Sequence, residues 1–318
     1  MPVYRPMRIR ALSFHARYQC RHSGACCTSS WPIPVEADRL ERLRAAVANG
    51  ALRAATDAHA FETDDDAPPD TPAVLSVTNG QCVFFDAAGH RCHVHNALGH
   101  DALPLACRQF PRVVVTDPRG VSVVLSHYCP TAAGLLGTDA RVEIVDSPEA
   151  FPSDGEYVGL DARHSLPPLL RPDMLMDWES WWEFERLAVD FIGNARAPMR
   201  TVLGELRPIV ETVRAWSPGP EPLIARVRSA FARGSLAEIE PSRDETVLRQ
   251  FLAAHAFANW TAYLGQGLRS WLRSIDAAHE LVTSDLDVRG ADLYLRHLAD
   301  PRTLAEDWSA AEILNRRS

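Results

Sequence analysis

The sequence predicts an α+β chain: a small cysteine-rich N-terminal module with β-hairpins, about residues 1–150, followed by an all-α helical domain, about residues 165–318. Three observations predict it. All seven cysteines fall between positions 20 and 129. Residues 73–145 hold short β-branched runs separated by Gly, Asn and Pro turns. After residue 165 the apolar positions recur at helical spacing. The length of 318 residues suits one large domain or two ordinary ones, and a 46% apolar fraction supplies a core.

Taken in order, residues 34–50 form a helix, with Ala37, Leu40, Leu43 and Val47 on one face and Asn49-Gly50 as its stop. Residues 56–72 are acidic and Pro-rich and read as a solvated loop. Residues 82–86 and 90–94 flank Ala87-Ala88-Gly89 as a short hairpin. Residues 95–109 hold one or two helical turns broken at Gly99 and Pro104. Residues 113–115 and 121–125 flank Asp117-Pro118-Arg119-Gly120, a strong hairpin signal, and residues 142–145 add one more strand. Helices are expected over residues 173–193, 198–216, 220–233, 243–275, 285–299 and 301–315, with Pro208 kinking or splitting the second. Trp178, Trp181 and Trp182 share a face of the first of these and read as core, with Asp177, Glu179, Glu183 and Glu185 on its solvated side.

Several function classes are excluded. The net charge of −8 lacks the basic footprint of a nucleic-acid binder. All 33 basic residues are Arg, so no Lys nucleophile or Schiff base is available. No Ser/His/Asp triad, H-E-x-x-H pair or Gly-rich phosphate loop appears. Residues 1–19 lack the apolar run of a secretory signal, and no stretch of 18 apolar residues occurs, so no membrane span is expected. The expected location is the cytoplasm, where disulfides rarely persist.

The cysteines are Cys20, Cys26, Cys27, Cys82, Cys92, Cys107 and Cys129. An odd count leaves one thiol over in any all-disulfide scheme. No C-x-x-C redox pair occurs. Each thiol lies at the edge of an expected turn, where ligands converge without straining the backbone, so metal ligation is the favoured chemistry. Seven thiols exceed the four that one zinc ion or one iron–sulfur cluster takes. Adjacent residues in an extended backbone point oppositely, so Cys26 and Cys27 are expected to serve different sites or to differ in role. His22, His93, His95 and His127 are nearby imidazoles able to complete a site. Arg108 is a candidate to neutralise thiolate charge at a bound cofactor, or to pair with a carboxylate.

The ordered set Cys20-x5-Cys26-Cys27, Cys82-Val83-Phe84-Phe85-x6-Cys92-x2-His95, Cys107-Arg108-Gln109-Phe110-Pro111 and Cys129-Pro130 resembles the cysteine-cluster family of zinc- or iron-chelating domains over residues 15–131. Ser23 stands where many members have a second cysteine, and His95 where Tyr is common. The resemblance implies a zinc, iron or iron–sulfur centre, [4Fe–4S] foremost. Cys26-Cys27-x3-Trp31-x-Ile33 is also similar to flagellin lysine-N-methylases. That similarity implies an S-adenosylmethionine-dependent protein lysine methylase with a protein substrate such as flagellin. A third reading is a structural metal site supporting an interaction surface on the helical half.

Overall fold

The computed structural model describes residues 7–54, 59–64, 71–232, 242–284 and 286–299. Part of the acidic loop and the expected helix at 301–315 lie outside them. The chain divides into two compact units. Among the described residues, the helical unit takes those up to Gln19, Arg112–Tyr128 and those from Ala132 onward. The cysteine unit takes Cys20–Pro111 and Cys129–Thr131. In sequence, the cysteine unit is an insertion after the first strand of the helical unit.

The chain begins with β1, Ile9–Leu12. It then enters the cysteine unit through β2 (Ile33–Val35) and α1 (Ala37–Ala48). Five short strands follow: β3 (Phe61–Glu62), β4 (Ala73–Leu75), β5 (Val77–Thr78), β6 (Gln81–Cys82) and β7 (Phe85–Asp86). β8 (Arg91–Cys92), α2 (His93–Leu98) and α3 (Leu105–Gln109) complete the unit's main elements. β2, β4 and β3 form an antiparallel sheet in which both Ile33 and Phe61 oppose Leu75. The α1 periodicity does what the sequence predicts: Leu40 and Leu43 are buried against Val35, Leu75, Phe84 and Val94.

The helical unit resumes with β9 (Arg112–Asp117) and β10 (Gly120–Leu125), the hairpin read from Asp117-Pro118-Arg119-Gly120. Gly120 has φ of +124°, and a Cβ there would stand 2.3 Å from the Arg8 carbonyl oxygen, so only glycine fits. After α4 (Pro130–Ala133) come β11 (Ile144–Asp146), β12 (Leu160–Asp161) and a small pair, β13 (Leu169–Arg171) and β14 (Met174–Leu175). The main sheet runs β11-β1-β10-β9-β12, with β1 parallel to β10 and antiparallel to β11. The hairpin of the expected N-terminal module therefore pairs with β1 and belongs to the helical unit.

Among the described residues seven α-helices follow, α5 (Trp178–Gly193), α6 (Met199–Arg214), α7 (Leu223–Ala232), α8 (Arg243–Ala256), α9 (Trp260–Leu264), α10 (Leu268–Ser284) and α11 (Val288–Leu293), with a π-helical turn, Tyr294–Leu298, after the last. α6 runs unbroken through Pro208, and the expected 243–275 helix is three helices. Asp177 caps α5 by accepting from Ser180 N at 2.8 Å. Trp181, Phe184, Phe251, Phe257 and Trp271 are fully buried together. None of the described helices is long and apolar enough to cross a membrane. The architecture is α+β, strand-rich over residues 9–146 and helical over residues 178–298.

Glu185 departs from the expected solvated face of α5. It is buried, and its carboxylate meets Arg119 at 2.9 Å and Arg10 at 3.8 Å and accepts from Ala258 N at 3.1 Å. Asp117 completes the group at 2.7 Å from Arg119 and 3.7 Å from Arg10. Two guanidinium groups and two carboxylates thus neutralise one another between the sheet and α5, which is what makes burial of four charges tolerable. Arg119 also lies over the Trp182 ring, 5.0 Å from its centroid.

Candidate metal centre

In the cysteine unit the first thiols sit on a 3-10 turn, Ala25–Cys27. Gly24 starts it at φ of +75°, where a Cβ would stand 3.0 Å from the Phe85 ring. This curvature corrects the expectation for the adjacent pair: the backbone is not extended there, and the Cys26 and Cys27 sulfurs lie 3.9 Å apart on one side. Cys82 ends the tight hairpin β5–β6, opposite Val77 across Asn79-Gly80. Cys92 ends a second hairpin, β7–β8, opposite Phe85. The sequence predicted one hairpin with Cys82 and Cys92 on its two arms; the structure has two in tandem. Cys107 lies within α3 and not at a turn edge. Glu36 anchors that helix, its carboxylate accepting from Leu105 N at 3.0 Å.

The thiols influence one another electrostatically. The Cys27 sulfur is in hydrogen-bonding contact with Cys26 and Cys92, and these contacts, with burial, push its thiol far up. The bond from Cys27 holds Cys26 below its ordinary value. The same kind of bond brings Cys92 down to about 7, with the amides of His95 and Val94 acting in the same direction. Burial pushes Cys82 up to about 12, and the nearby Cys92 and Cys26 add to it. Burial raises Cys107 well above the ordinary thiol range, reinforced by Cys26, Cys82, Cys92 and Glu36. The fold therefore gathers Cys26, Cys27, Cys82, Cys92 and Cys107 into one mutually interacting set.

The other sequence candidates are placed as follows. Cys20 is exposed, its sulfur accepting from His22 N at 3.4 Å. Cys129 is buried immediately before α4. The His22 and His95 rings stack at 5.5 Å within the cysteine unit, and the His93 amide bonds the Phe84 carbonyl. His127 belongs to the helical unit, where its ring nitrogen meets that of His15 at 3.0 Å. Arg108 donates through Nε to the Leu103 carbonyl at 3.1 Å. All seven cysteines are thiols outside any disulfide. Among the described residues no three His, Cys, Asp or Glu side chains stand as a finished ligand set. The donor chemistry nonetheless fits zinc or iron: soft sulfur donors held on turns around a dry apolar cluster that includes Cys27, Cys82, Val83 and Phe84.

Residues 19–130 match the family model named for a C-x-x-C-x-x-C-C signature and described as a putative zinc- or iron-chelating domain; here Ser23 takes the place of the second cysteine. This segment is similar to the cysteine-cluster domains. The matched segment covers the cysteine unit up to residue 130 and also takes in β9 and β10, so the family's boundary and the compact unit differ at the second hairpin. No curated protein and no solved structure matches the chain. The function class that the cysteine-cluster domain supports is metal binding, of zinc or iron.

Glu185 and Asp292, two of the buried acids of the helical unit, carry no strong local signal in the sequence. Glu185 had a signal of a kind: it falls four residues after the fully buried Trp181, on the same helix face.

Proposed function

We propose that the cysteine-cluster domain chelates a thiophilic metal centre through thiolates drawn from Cys26, Cys27, Cys82, Cys92 and Cys107, with Cys20 and Cys129 as the remaining donors of the same domain. The observation that carries this is the contact of Cys27 with both Cys26 and Cys92, with Cys82 and Cys107 near enough to be shifted by their charge. Close-set sulfurs repel once ionised, and a bound cation converts that repulsion into attraction. Five gathered thiols exceed the four needed by one zinc ion or one [4Fe–4S] cluster, so both occupants are compatible with the set. A zinc ion would supply a structural cross-link between the two small hairpins and the 3-10 turn; an iron–sulfur cluster would supply one-electron chemistry as well. The role of this chain's residues is to hold the sulfurs on preset turns and to exclude water with Phe84, Phe85 and Val83.

Metal and acid-labile sulfide analysis of anaerobically purified protein separates the occupants. Iron with an equal amount of labile sulfide supports a cluster. Zinc or iron without sulfide supports a mononuclear site. Protein that holds neither metal after reconstitution contradicts the proposal. The methylase reading, with S-adenosylmethionine and flagellin, rests on the Cys26-to-Ile33 resemblance, the shared cysteine cluster and the helical C-terminal half, and forms no part of this proposal.

A further inference from the structure

The helical unit holds a feature that metal binding by the cysteines does not use. Asp292, fully buried, accepts from Ser126 Oγ at 2.6 Å, from His255 Nε2 and Arg296 Nε at 3.1 Å each, and from Tyr128 N at 3.4 Å. Ser126 Oγ also meets His297 Nε2 at 2.7 Å. Behind Asp292, His127 Nδ1 lies 3.7 Å away, and His127 in turn contacts His15. Burying so many polar groups costs stability unless each is satisfied, and a network of this size rigidifies whatever it backs.

It backs a cavity of about 230 Å³, lined on its polar side by His255, Arg296, His297 and Arg112. Val113, Val114, Trp260 and Leu295 form an apolar side, and Val158, 51% exposed, stands at the rim. Among the described residues no Asp or Glu lines it. Arg296 uses Nε on Asp292 and one terminal nitrogen on the Ala254 carbonyl, so two of the five N–H groups of a guanidinium are committed. We propose that this cavity binds a small organic acid, its carboxylate held by the Arg296 guanidinium and its apolar body lying along Val113, Trp260 and Leu295. A cation finds no carboxylate on the lining. A bare inorganic anion leaves the apolar wall in contact with water. A peptide or dinucleotide is too large, since sites for drug-sized ligands run from about 300 Å³ upward. An apolar body with one anionic head matches both halves of the lining.

The test is calorimetric titration of the full chain with benzoate and hexanoate against their uncharged partners, benzamide and hexanamide. The carboxylates bind saturably and the amides at least about tenfold more weakly, because a charge-assisted bidentate contact is lost. Val158→Asp, which sets a carboxylate at the rim without touching the network, weakens benzoate binding about fivefold, while Val158→Asn stays within about twofold. Equal binding of amide and carboxylate, no saturable binding of either carboxylate, or indifference to Val158→Asp overturns the proposal. Metal content, measured in the same sample, reports on the cysteine-cluster domain separately.

Discussion

Cys26 and Cys27 hold their sulfurs 3.9 Å apart because a 3-10 turn, opened by a left-handed Gly24, carries both. The residue pair that local sequence logic would send to opposite faces is thereby turned into one two-sulfur edge. Cys92 approaches the same edge from the end of the β7–β8 hairpin and meets the Cys27 sulfur.

Gly24→Ala tests that turn. The substitution forces an L side chain to φ of +75° and drives its Cβ to 3.0 Å from the Phe85 ring. A cost of about 1–3 kcal/mol is expected from the backbone strain. Hydrogen exchange should show faster opening across the cysteine unit, with reduced metal loading. Unchanged exchange there would show that the turn is not fixed by Gly24.

Glu185→Gln tests the buried charge group of the helical unit. It leaves Arg10 and Arg119 with Asp117 as their one remaining full counter-charge. Removing one partner of a buried ion pair is expected to cost about 3–5 kcal/mol. Urea unfolding followed by far-UV circular dichroism measures it; a loss under about 1 kcal/mol would mean that the group is solvated in solution.

Acid should destabilise the helical unit before its carboxylates protonate. Burial holds His255 down at about 4, with Arg296 and His127 acting with it and Asp292 against it. Burial likewise holds His297 at about 4, with Asp292 opposing and Arg296 assisting, and pushes His15 well below its usual range, helped by His127 and Arg296. In each case the unfolded chain binds the proton more readily, near pH 6.5. Stability is therefore full above that pH and falls as pH drops from about 6.5 toward about 4. The Asp292 carboxyl, held low through His127, His255 and Arg296, stays ionised over this window and does not offset the loss. Thermal melts at pH 7, 6, 5 and 4 should show a progressive decline. A flat profile from 7 to 5 would mean that these imidazoles are solvated.

Much of this was legible in the sequence, and the misses have physical causes. The α+β class, the turn at Asp117-Pro118-Arg119-Gly120, α1 and the core role of Trp181 all follow from periodicity and turn chemistry, which are local. What failed was long-range. That β10 pairs with β1, more than a hundred residues earlier, cannot be read from either strand alone. That pairing gives the second hairpin to the helical unit. Glu185 reads as solvated because its partners lie on β1 and at the β9–β10 turn. Pro208 was expected to interrupt α6, yet packing of Val202, Leu206, Ile209 and Val213 holds the helix through it. Of the candidate site, the identity of the cysteines was plain. The grouping of Cys26, Cys27, Cys82, Cys92 and Cys107 required the turn geometry.

X-ray absorption at the metal edge of the reconstituted protein tests the central claim most directly. Thiolate ligation predicts sulfur scatterers at about 2.3 Å, the usual zinc–sulfur distance and close to that of iron. Cys27→Ser and Cys92→Ser should lower the sulfur count or abolish metal retention. A shell of nitrogen and oxygen alone, or a sulfur shell unchanged in both variants, would contradict the account.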